Sequence, residues 1–443
     1  MPILAAHSRR NYLIAIALLS ILAGGCANKK SEVKTKPPLA NGKKWAVDSF
    51  KVRELTDVVF EKTDKRLERG KYLATGILQC FTCHSPRDWN TPGAPPIEGK
   101  EGSGGTILRE DSLTRIIAPN ITPDKETGAG NWTDDMLARA IREGVGHDGR
   151  ALYWEMPYST FRNLTDEDLA SVVVFLKSIP AVRNVVLPTK LTAQLKSDLE
   201  KNLYPLTDTV PEINWADSFK RGKYLVAIGE CFGCHTSHAS FSPGVGGGGN
   251  DITRFNRKAF SANITADSTG IGYGVNGFIF AIRTGKGGLL SPIMPWISDR
   301  NINDEDLRAI YGYLSKMPLS NHAVNNLDTA SFCAVCEYKH GAGWKNKRIR
   351  PLGIKMDPSL YDQYAGSYFC ERYGLTYTVK REGKKLVGTM WENAPKVELI
   401  PQSETHFLAP GWFLPVTFIK DKDGKVTGMQ EDSDIGSAFT KIK

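Results

Sequence analysis

The sequence lacks several features that would assign the chain to common classes of protein. Its N-terminal apolar run covers only residues 12–22, whereas a membrane span needs about 20 apolar residues. Its net charge is +9, but its basic residues are not interleaved with aromatic ones, so we do not expect nucleic-acid binding. No Gly-Lys-Ser/Thr follows the glycine run at 246–249, which argues against a phosphate-binding loop. With 41% hydrophobic and 24% charged residues, the 443-residue chain is mostly globular.

The N-terminus has the pattern of an export signal. Arg9 and Arg10 precede the apolar run, and three small residues then lead into Cys26. This pattern resembles a bacterial lipoprotein signal, in which Cys26 becomes the lipidated first residue; plain secretion and an uncleaved anchor are the alternatives. All three export the protein. We therefore predict a signal peptide at 1–25, a flexible, lysine-rich tether at 26–58, and a periplasm-facing protein held on a membrane by a lipid anchor.

A five-residue cysteine motif occurs twice. Cys-Phe-Thr-Cys-His occupies 80–84 and Cys-Phe-Gly-Cys-His occupies 231–235, each after the same Arg-Gly-Lys-Tyr-Leu run. This spacing is typical of c-type haem attachment, because two thiols can bond the two vinyl groups while the adjacent histidine binds iron. A zinc or redox cysteine pair is the alternative, but two copies in the same context favour haem. We predict two covalently bound haem c groups held by Cys80, Cys83, Cys231 and Cys234, with His84 and His235 as iron ligands.

The two motifs belong to an internal repeat of six short blocks in the same order. The others are Arg-Gly-Lys-Tyr-Leu, Asn-Ile-Thr, Ala-Ile-Arg, Met-Pro and Asp-Glu-Asp-Leu, and helical spacing of apolar residues follows the last of these. The repeat predicts two all-α domains of one kind. We place them at 59–185 and 212–320, joined by a linker at 186–211 and followed by a cysteine-containing linker at 321–356.

Two details of the repeat predict how its helices form and pack. Thr165 and Asn303 precede the Asp-Glu-Asp-Leu blocks as helix caps. Phe175 and its counterpart Tyr313 are expected to pack on the helix that carries Gly70 or Gly222, where the missing side chain lets two helices approach. The Gly- and Pro-rich stretches after each cysteine motif are interpreted as long loops.

The second ligand of each iron is predicted from the repeat. Met156 and Met294 are the only methionines of the repeats that map onto each other, and both precede proline, which restricts the backbone of the loop. A thioether ligand favours ferrous iron and raises the reduction potential. Core packing is the commoner role of methionine. His147 and His238 are alternative iron ligands, but neither has a counterpart in the other repeat, and we interpret them as surface residues.

The repeats together resemble a known family. Residues 60–320, with Asn-Ile-Thr-Pro-Asp at 120–124 and Met-Pro-Tyr at 156–158, resemble tandem units of soluble cytochrome c. They are most similar to multi-haem cytochrome c subunits of membrane-associated alcohol, aldehyde and gluconate dehydrogenases. The resemblance implies axial pairs His84/Met156 and His235/Met294. Such subunits often carry three haems, whereas this chain has two attachment motifs.

The resemblance implies a protein that is not itself an enzyme. We expect a dihaem cytochrome that relays single electrons in the periplasm from a dehydrogenase to a terminal oxidase or another cytochrome. Two other functions remain open. One is a dihaem redox enzyme, a peroxidase or sulfur-compound oxidoreductase, which needs an iron with an open position. The other is a redox-sensing or docking module.

The C-terminal part, 357–443, changes character. Alternating β-prone residues flank an Arg-Glu-Gly-Lys turn at 381–384 and an Asp-Lys-Asp-Gly turn at 421–424, which predicts hairpins of a small antiparallel all-β domain. The segment 361–368 resembles part of the small β domain appended to some secreted bacterial serine hydrolases. No hydrolase triad accompanies it, so the resemblance predicts no activity.

A third cysteine pair, Cys333 and Cys336, is followed by Glu337 in place of histidine, so we do not expect a third haem. Two other roles stay open. Cys370 can form a disulfide with one member of the pair, which suits an oxidising compartment. Alternatively, the three cysteines and His340 can form a zinc site.

Overall fold

The structure is a computed structural model of the full chain. It describes residues 52–442 except 202, 204, 207, 238–242, 256, 286–290, 292, 348–352, 371–374, 391–395, 410–414 and 432–437. The predicted signal peptide, Cys26 and most of the tether therefore lie outside the described residues. Within the described part, no helix combines the length and the apolar character needed to cross a membrane.

The first repeat is built mainly of helices. Helix α1 carries the Arg-Gly-Lys-Tyr-Leu run, α2 is the cysteine motif, and α5 follows the Asp-Glu-Asp-Leu block. The elements are α1 (Asp64–Thr75), α2 (Cys80–Cys83), β1 (Ile107–Glu110), β2 (Arg115–Ile117), α3 (Asp134–Glu143), α4 (Tyr158–Phe161), α5 (Asp166–Leu176) and, in the linker that follows, α6 (Ala193–Lys201).

The second repeat has the same elements in the same order, as the six sequence blocks predict. They are α7 (Ser218–Ile228), α8 (Cys231–His235), β3 (Asp251–Arg254), β4 (Arg257–Phe260), α9 (Val275–Thr284), α10 (Trp296–Asp299) and α11 (Asp304–Leu314). Buried side chains of both repeats, among them Leu73 and Leu225, belong to one continuous hydrophobic core. Burial of such side chains contributes about 1.5–3 kcal/mol each.

The prediction of all-α repeats is incomplete. Each repeat contains a two-stranded antiparallel sheet, β1–β2 or β3–β4, within the stretch that we interpreted as an irregular loop. The Gly- and Pro-rich stretch is long enough to turn back on itself, and pairing the two short strands satisfies backbone groups that a loop leaves open. Ile116 of β2 contributes to a small buried cluster beside α6.

The predicted caps of α5 and α11 are confirmed. The Asp168 amide donates to Thr165 Oγ1 over 3.1 Å, and the Asp306 amide donates to Asn303 Oδ1 over 2.8 Å. Each bond satisfies an N–H group that has no partner within its helix. The acidic residues behind the caps stand in the first turn, where the helix dipole favours negative charge.

The close crossing of helices at glycine is also confirmed. A Cβ atom on Gly70 would lie 2.0 Å from the backbone oxygen of Ser171 and 2.7 Å from Cβ of Phe175. A Cβ atom on Gly222 would lie 2.0 Å from the oxygen of Ala309 and 3.0 Å from Cβ of Tyr313. Helices α1 and α5, and likewise α7 and α11, therefore touch through backbone where only glycine fits.

The segments outside the repeats pack more closely than loose connections would. Arg53, in the predicted tether, pairs with Asp135 at 2.7 Å and with Glu143 at 2.9 Å, which fixes it to α3. The predicted linker between the repeats contains helix α6, whose Leu199 is buried.

The C-terminal domain is a closed eight-stranded antiparallel barrel, as the hairpin signals predict. A small hairpin, β5 (Ser331–Phe332) and β6 (Lys339–His340), precedes it, and short 3₁₀ helices occupy Gly343–Lys345 and Pro358–Gln363. The barrel strands are β7 (Gly366–Cys370), β8 (Leu375–Glu382), β9 (Lys385–Thr389), β10 (Val397–Pro401), β11 (His406–Leu408), β12 (Val416–Lys420), β13 (Val426–Glu431) and β14 (Ala438–Lys441).

Candidate functional site

A cavity in the first repeat brings four predicted site residues together. Cys80, Cys83, His84 and Met156 all line it, and its volume is about 780 Å³, a size typical of cofactor sites. Most of its other walls are apolar and come from both sides of the repeat, including Leu137, Ile141, Phe161, Val172 and Leu176. The chain thus places two thiols, an imidazole and a thioether around one cavity.

The two motif histidines are oriented in the same way. Nδ1–H of His84 donates to the carbonyl of Pro119 over 2.8 Å, and Nδ1–H of His235 donates to the carbonyl of Ala262 over 2.7 Å. Burial lowers the pKa of both imidazoles, which favours the neutral form. Nε2 of each ring is then an unprotonated lone-pair donor, the form that binds a metal.

Each cysteine motif starts from an unusual backbone turn. Gln79 and Glu230, the residues before the first cysteines, have φ angles of 55° and 58°, in the left-handed region. Non-glycine residues adopt this region rarely. The turn lets the chain reverse from α1 or α7 into the short helix that presents both thiols and the histidine. Burial raises the pKa of the Cys80 thiol to about 12, so it does not act as a thiolate nucleophile at neutral pH.

The two methionine loops also match. Met156 donates its amide to Tyr153 over 2.9 Å, and Met294 donates to Ser291 over 2.9 Å. In each case the following proline then caps a four-residue helix, α4 or α10. Met294 and Cys231 pack against the shared core as Met156 and Cys80 do. Residues 286–290, next to the second loop, lie outside the described part.

His147 is not the surface residue that we predicted. It lines the same cavity as Met156 and stacks on Trp132, with ring centroids 4.4 Å apart. Its buried Nδ1 has no hydrogen-bond partner among the described residues. Sequence reasoning missed it because the second repeat has no counterpart to signal a role. His238 lies outside the described residues.

Half-buried ionisable side chains border the two motifs. Arg254 and Glu230, from the second repeat, line the cavity of the first, together with Glu155 beside Met156. Burial raises the pKa of Glu155 and of Glu230 above the ordinary range of a carboxyl group. Burial alone would lower the pKa of Arg254, but the neighbouring thiols and carboxyl groups raise it overall, so this side chain stays cationic.

The residues present fit haem c. The cavity offers the paired thiols for the two thioether bonds, a neutral imidazole held by a backbone carbonyl, and a methionine sulfur on its wall. Its apolar lining suits a porphyrin face, since burying apolar surface is favourable. The second motif reproduces the histidine anchor and the methionine loop.

Comparison with known proteins gives relatives but no match to a family model. One of the subunits of nicotinate dehydrogenase of Pseudomonas putida is 27% identical over 59% of this chain and 23% of its own length. The cytochrome c subunit of alcohol dehydrogenase (quinone) of Gluconobacter oxydans is 26% identical over 65% of this chain and 66% of its own length. A "diheme cytochrome c-type" protein of Cereibacter sphaeroides is 27% identical over 54% of this chain and 82% of its own length.

These matches confirm the resemblance expected from the motifs. The chain spans less than a quarter of the first of these relatives and about two thirds of the second. Gluconate and fructose dehydrogenase cytochrome subunits are similar to a comparable degree. The chain is a relative of the cytochrome c subunits of alcohol, gluconate and fructose dehydrogenases and of a dihaem cytochrome c.

Proposed function

We propose that the chain is an electron-transfer protein that carries two haem c groups and relays single electrons from a periplasmic dehydrogenase to an oxidase or another cytochrome. The observation that carries the proposal is the cavity that Cys80, Cys83, His84 and Met156 line together. Haem c supplies a one-electron iron couple when bound. The relatives' names, which include dehydrogenase cytochrome subunits, support a dehydrogenase as the donor.

In this proposal one histidine and one methionine of the chain would hold each iron. His84 and His235 offer Nε2, since their Nδ1 atoms are held by carbonyls. Met156 and Met294 offer thioether sulfur from loops fixed by proline. An iron with two protein ligands has no position for a substrate, which favours electron transfer over a peroxidase or a sulfur-compound oxidoreductase.

Contacts between the two sites support passage of electrons within the chain. Thr82, inside the first cysteine motif, lies 2.9 Å from Ser298, which follows the second methionine loop, measured between their Oγ atoms. A Cβ atom on Gly229, two residues before Cys231, would lie 3.6 Å from Cγ2 of Ile77. The segments that lead into the two motifs therefore touch each other.

Replacing Met156 tests the ligand assignment. Met156→Ala should let one iron bind carbon monoxide and lower its midpoint potential, because a thioether favours the ferrous state. The other haem should be unchanged. The matched control is His147→Gln, on the wall of the same cavity, which should alter neither property. Carbon monoxide uptake and a redox titration of the purified holoprotein measure the two properties. A Met156 variant that binds no carbon monoxide and keeps its midpoint potential would contradict the assignment, as would a His147 variant whose iron binds carbon monoxide.

For location, we propose export and lipidation at Cys26, on the basis of the N-terminal pattern. Cys26→Ser should release the haem-containing protein from the membrane fraction into the soluble periplasmic fraction, because two acyl chains or more are needed for stable anchoring. Fractionation with haem staining measures this. A variant that stays membrane-bound would argue for an uncleaved anchor, and an unaltered protein that is already soluble would argue for plain secretion.

A further inference from the structure

A second cluster of metal-binding side chains lies apart from the cysteine motifs, in the segment between the second repeat and the barrel. His322, Cys333, Cys336 and His340 bring their ligand atoms within 4.8 Å of one another. None of the four residues is more than 1% exposed. Cys333 and Cys336 form no disulfide, so the bond considered between Cys370 and one of them is absent.

The hydrogen bonds of the two imidazoles show which ring nitrogens face each other inside the cluster. Nδ1 of His322 lies 2.7 Å from the carbonyl of Gly247, and Nδ1 of His340 lies 2.7 Å from the carbonyl of Gly341. A carbonyl only accepts, so both Nδ1 atoms carry a proton, and in the neutral form of the two rings both Nε2 atoms carry lone pairs. Yet the two Nε2 atoms face each other at 3.2 Å. A cation between them resolves this repulsion.

Two of the distances between ligand atoms match those of a tetrahedral site. With metal–nitrogen bonds of about 2.0–2.1 Å and metal–sulfur bonds of about 2.3 Å, adjacent ligand atoms lie about 3.3 Å apart for two nitrogens and about 3.6 Å for nitrogen and sulfur. The two Nε2 atoms lie 3.2 Å apart, and Cys333 Sγ lies 3.4 Å from Nε2 of His322. Carbonyl bonds to the outer imidazole nitrogens are the usual support of metal-bound histidine.

The local fold supplies the ligands from a short hairpin and one distant residue. Cys333 follows β5, and His340 ends β6, which pairs with β5 through Ser331 and His340. The Cys336 amide approaches Cys333 Sγ at 3.5 Å, and Glu337 turns the chain with a φ angle of 55°. This turn places both sulfurs on the same side as His340. His322 lies in the segment that follows α11.

We propose that these four residues form a structural zinc site. Two thiol sulfurs and two imidazole nitrogens are a donor set that favours zinc among common metals. A closed set of four buried ligands leaves no open position for a substrate, which is typical of structural and not of catalytic zinc.

The donor set corrects the zinc site considered from the sequence. His322 takes the place given to Cys370, which lies in strand β7 and contributes to the buried core of the barrel. His322 stands eleven residues before Cys333, and no local pattern assigns it. Histidines flank the cysteine pair as His-x10-Cys-x2-Cys-x3-His, which allows a metal site but does not single out His322 as a ligand.

The position of the site indicates what zinc would stabilise. Nδ1 of His322 donates a hydrogen bond to the carbonyl of Gly247. The amide of the next residue, Gly248, donates to the backbone oxygen of His235 over 2.8 Å. A Cβ atom on Gly249 would lie 2.5 Å from Cε1 of His322, so the loop fits against the ring only with glycine. Zinc would therefore hold the segment after α11 against the loop beside the second cysteine motif.

Metal analysis of the purified full-length holoprotein tests the proposal. Inductively coupled plasma mass spectrometry should find about one zinc per chain, counted against haem measured as the pyridine haemochrome. Protein isolated without zinc is reduced, incubated with zinc chloride and desalted before the measurement. A chain that retains no zinc after this treatment, or one whose native form contains a Cys333–Cys336 disulfide by peptide mass spectrometry, overturns the proposal.

Two matched variants identify the ligands. Cys336→Ser should lower bound zinc about tenfold or more and lower Tm, whereas Cys370→Ser, at a buried thiol outside the cluster, should keep its zinc. Loss of zinc from the Cys370 variant, or its retention in the Cys336 variant, overturns the donor set. If the Cys336 variant does not fold, His322→Cys, which keeps four donors, replaces it and should retain zinc. Haem content should not change in the variants that fold, which separates this test from the proposed electron-transfer function.

Discussion

Tyr72 and Asp306 connect the two repeats: the Tyr72 hydroxyl donates a hydrogen bond of 2.5 Å to Oδ2 of Asp306. The relation is reciprocal, since Tyr224 donates to Oδ2 of Asp168 over 2.7 Å. Within each repeat the same aspartates pair with Arg69 or Arg221. The Arg-Gly-Lys-Tyr-Leu runs and the Asp-Glu-Asp-Leu blocks thus bind each other both within and between repeats. The two runs belong to α1 and α7, so the interface joins the helices that lead into the two cysteine motifs.

Removing one of these hydroxyl groups should loosen the interface. Tyr72→Phe leaves Asp306 without its bond from the other repeat, and a hydrogen bond to a charged group contributes about 1.5–3 kcal/mol. Tyr224→Phe should cost a similar amount, because its bond to Asp168 is equivalent. Urea unfolding of the holoprotein measures the change. Tyr273→Phe, at a half-exposed tyrosine, is the control and should change stability by less than about 0.5 kcal/mol. A Tyr72 variant as stable as this control would mean that the bond contributes little.

The close helix crossing predicts opposite effects for two glycine substitutions. Gly70→Ala forces a Cβ atom to within 2.0 Å of the Ser171 oxygen, so α1 and α5 must separate. We expect a loss of about 1–3 kcal/mol or more. Gly312→Ala, in α11, meets no atom within 4 Å and should stabilise the chain by about 0.5–1 kcal/mol, because alanine favours the helix. Thermal unfolding measures both stability changes. Equal changes for the two variants would contradict the close contact of α1 and α5 at Gly70.

Asp299 predicts how stability depends on pH. Burial raises its pKa to about 7, although the amide of Gln79 donates to Oδ1 over 3.3 Å and opposes the shift. A carboxyl group whose pKa is higher in the folded than in the unfolded chain stabilises the fold at low pH. That contribution is lost as pH rises from about 4 through about 7.

Asp299→Asn should therefore make the chain more stable at pH 8, by on the order of a few kcal/mol, and change little at pH 4, because asparagine is always neutral. Urea unfolding of the variant and the unaltered chain at both pH values measures the difference. If the two differ equally at pH 4 and pH 8, the carboxyl group does not titrate in this range.

Much of the fold follows from local sequence signals. The caps at Thr165 and Asn303, the hairpins around 381–384 and 421–424, and the fit of Phe175 against Gly70 were predictable, because each depends on spacing within a few residues or on the internal repeat. The two-stranded sheets of the repeats were missed. Their strands are only three or four residues long and lie among glycines and prolines, where periodicity carries no signal.

The sequence by itself determined the chemistry of the two cysteine motifs, because attachment depends on two thiols and an imidazole within five consecutive residues. Only the tertiary structure decided which distant groups join them. It brought His147 into the first cavity, His322 to Cys333, and Tyr72 to Asp306. Such pairs leave no mark in local spacing, since they depend on where the chain returns after burying one core shared by both repeats.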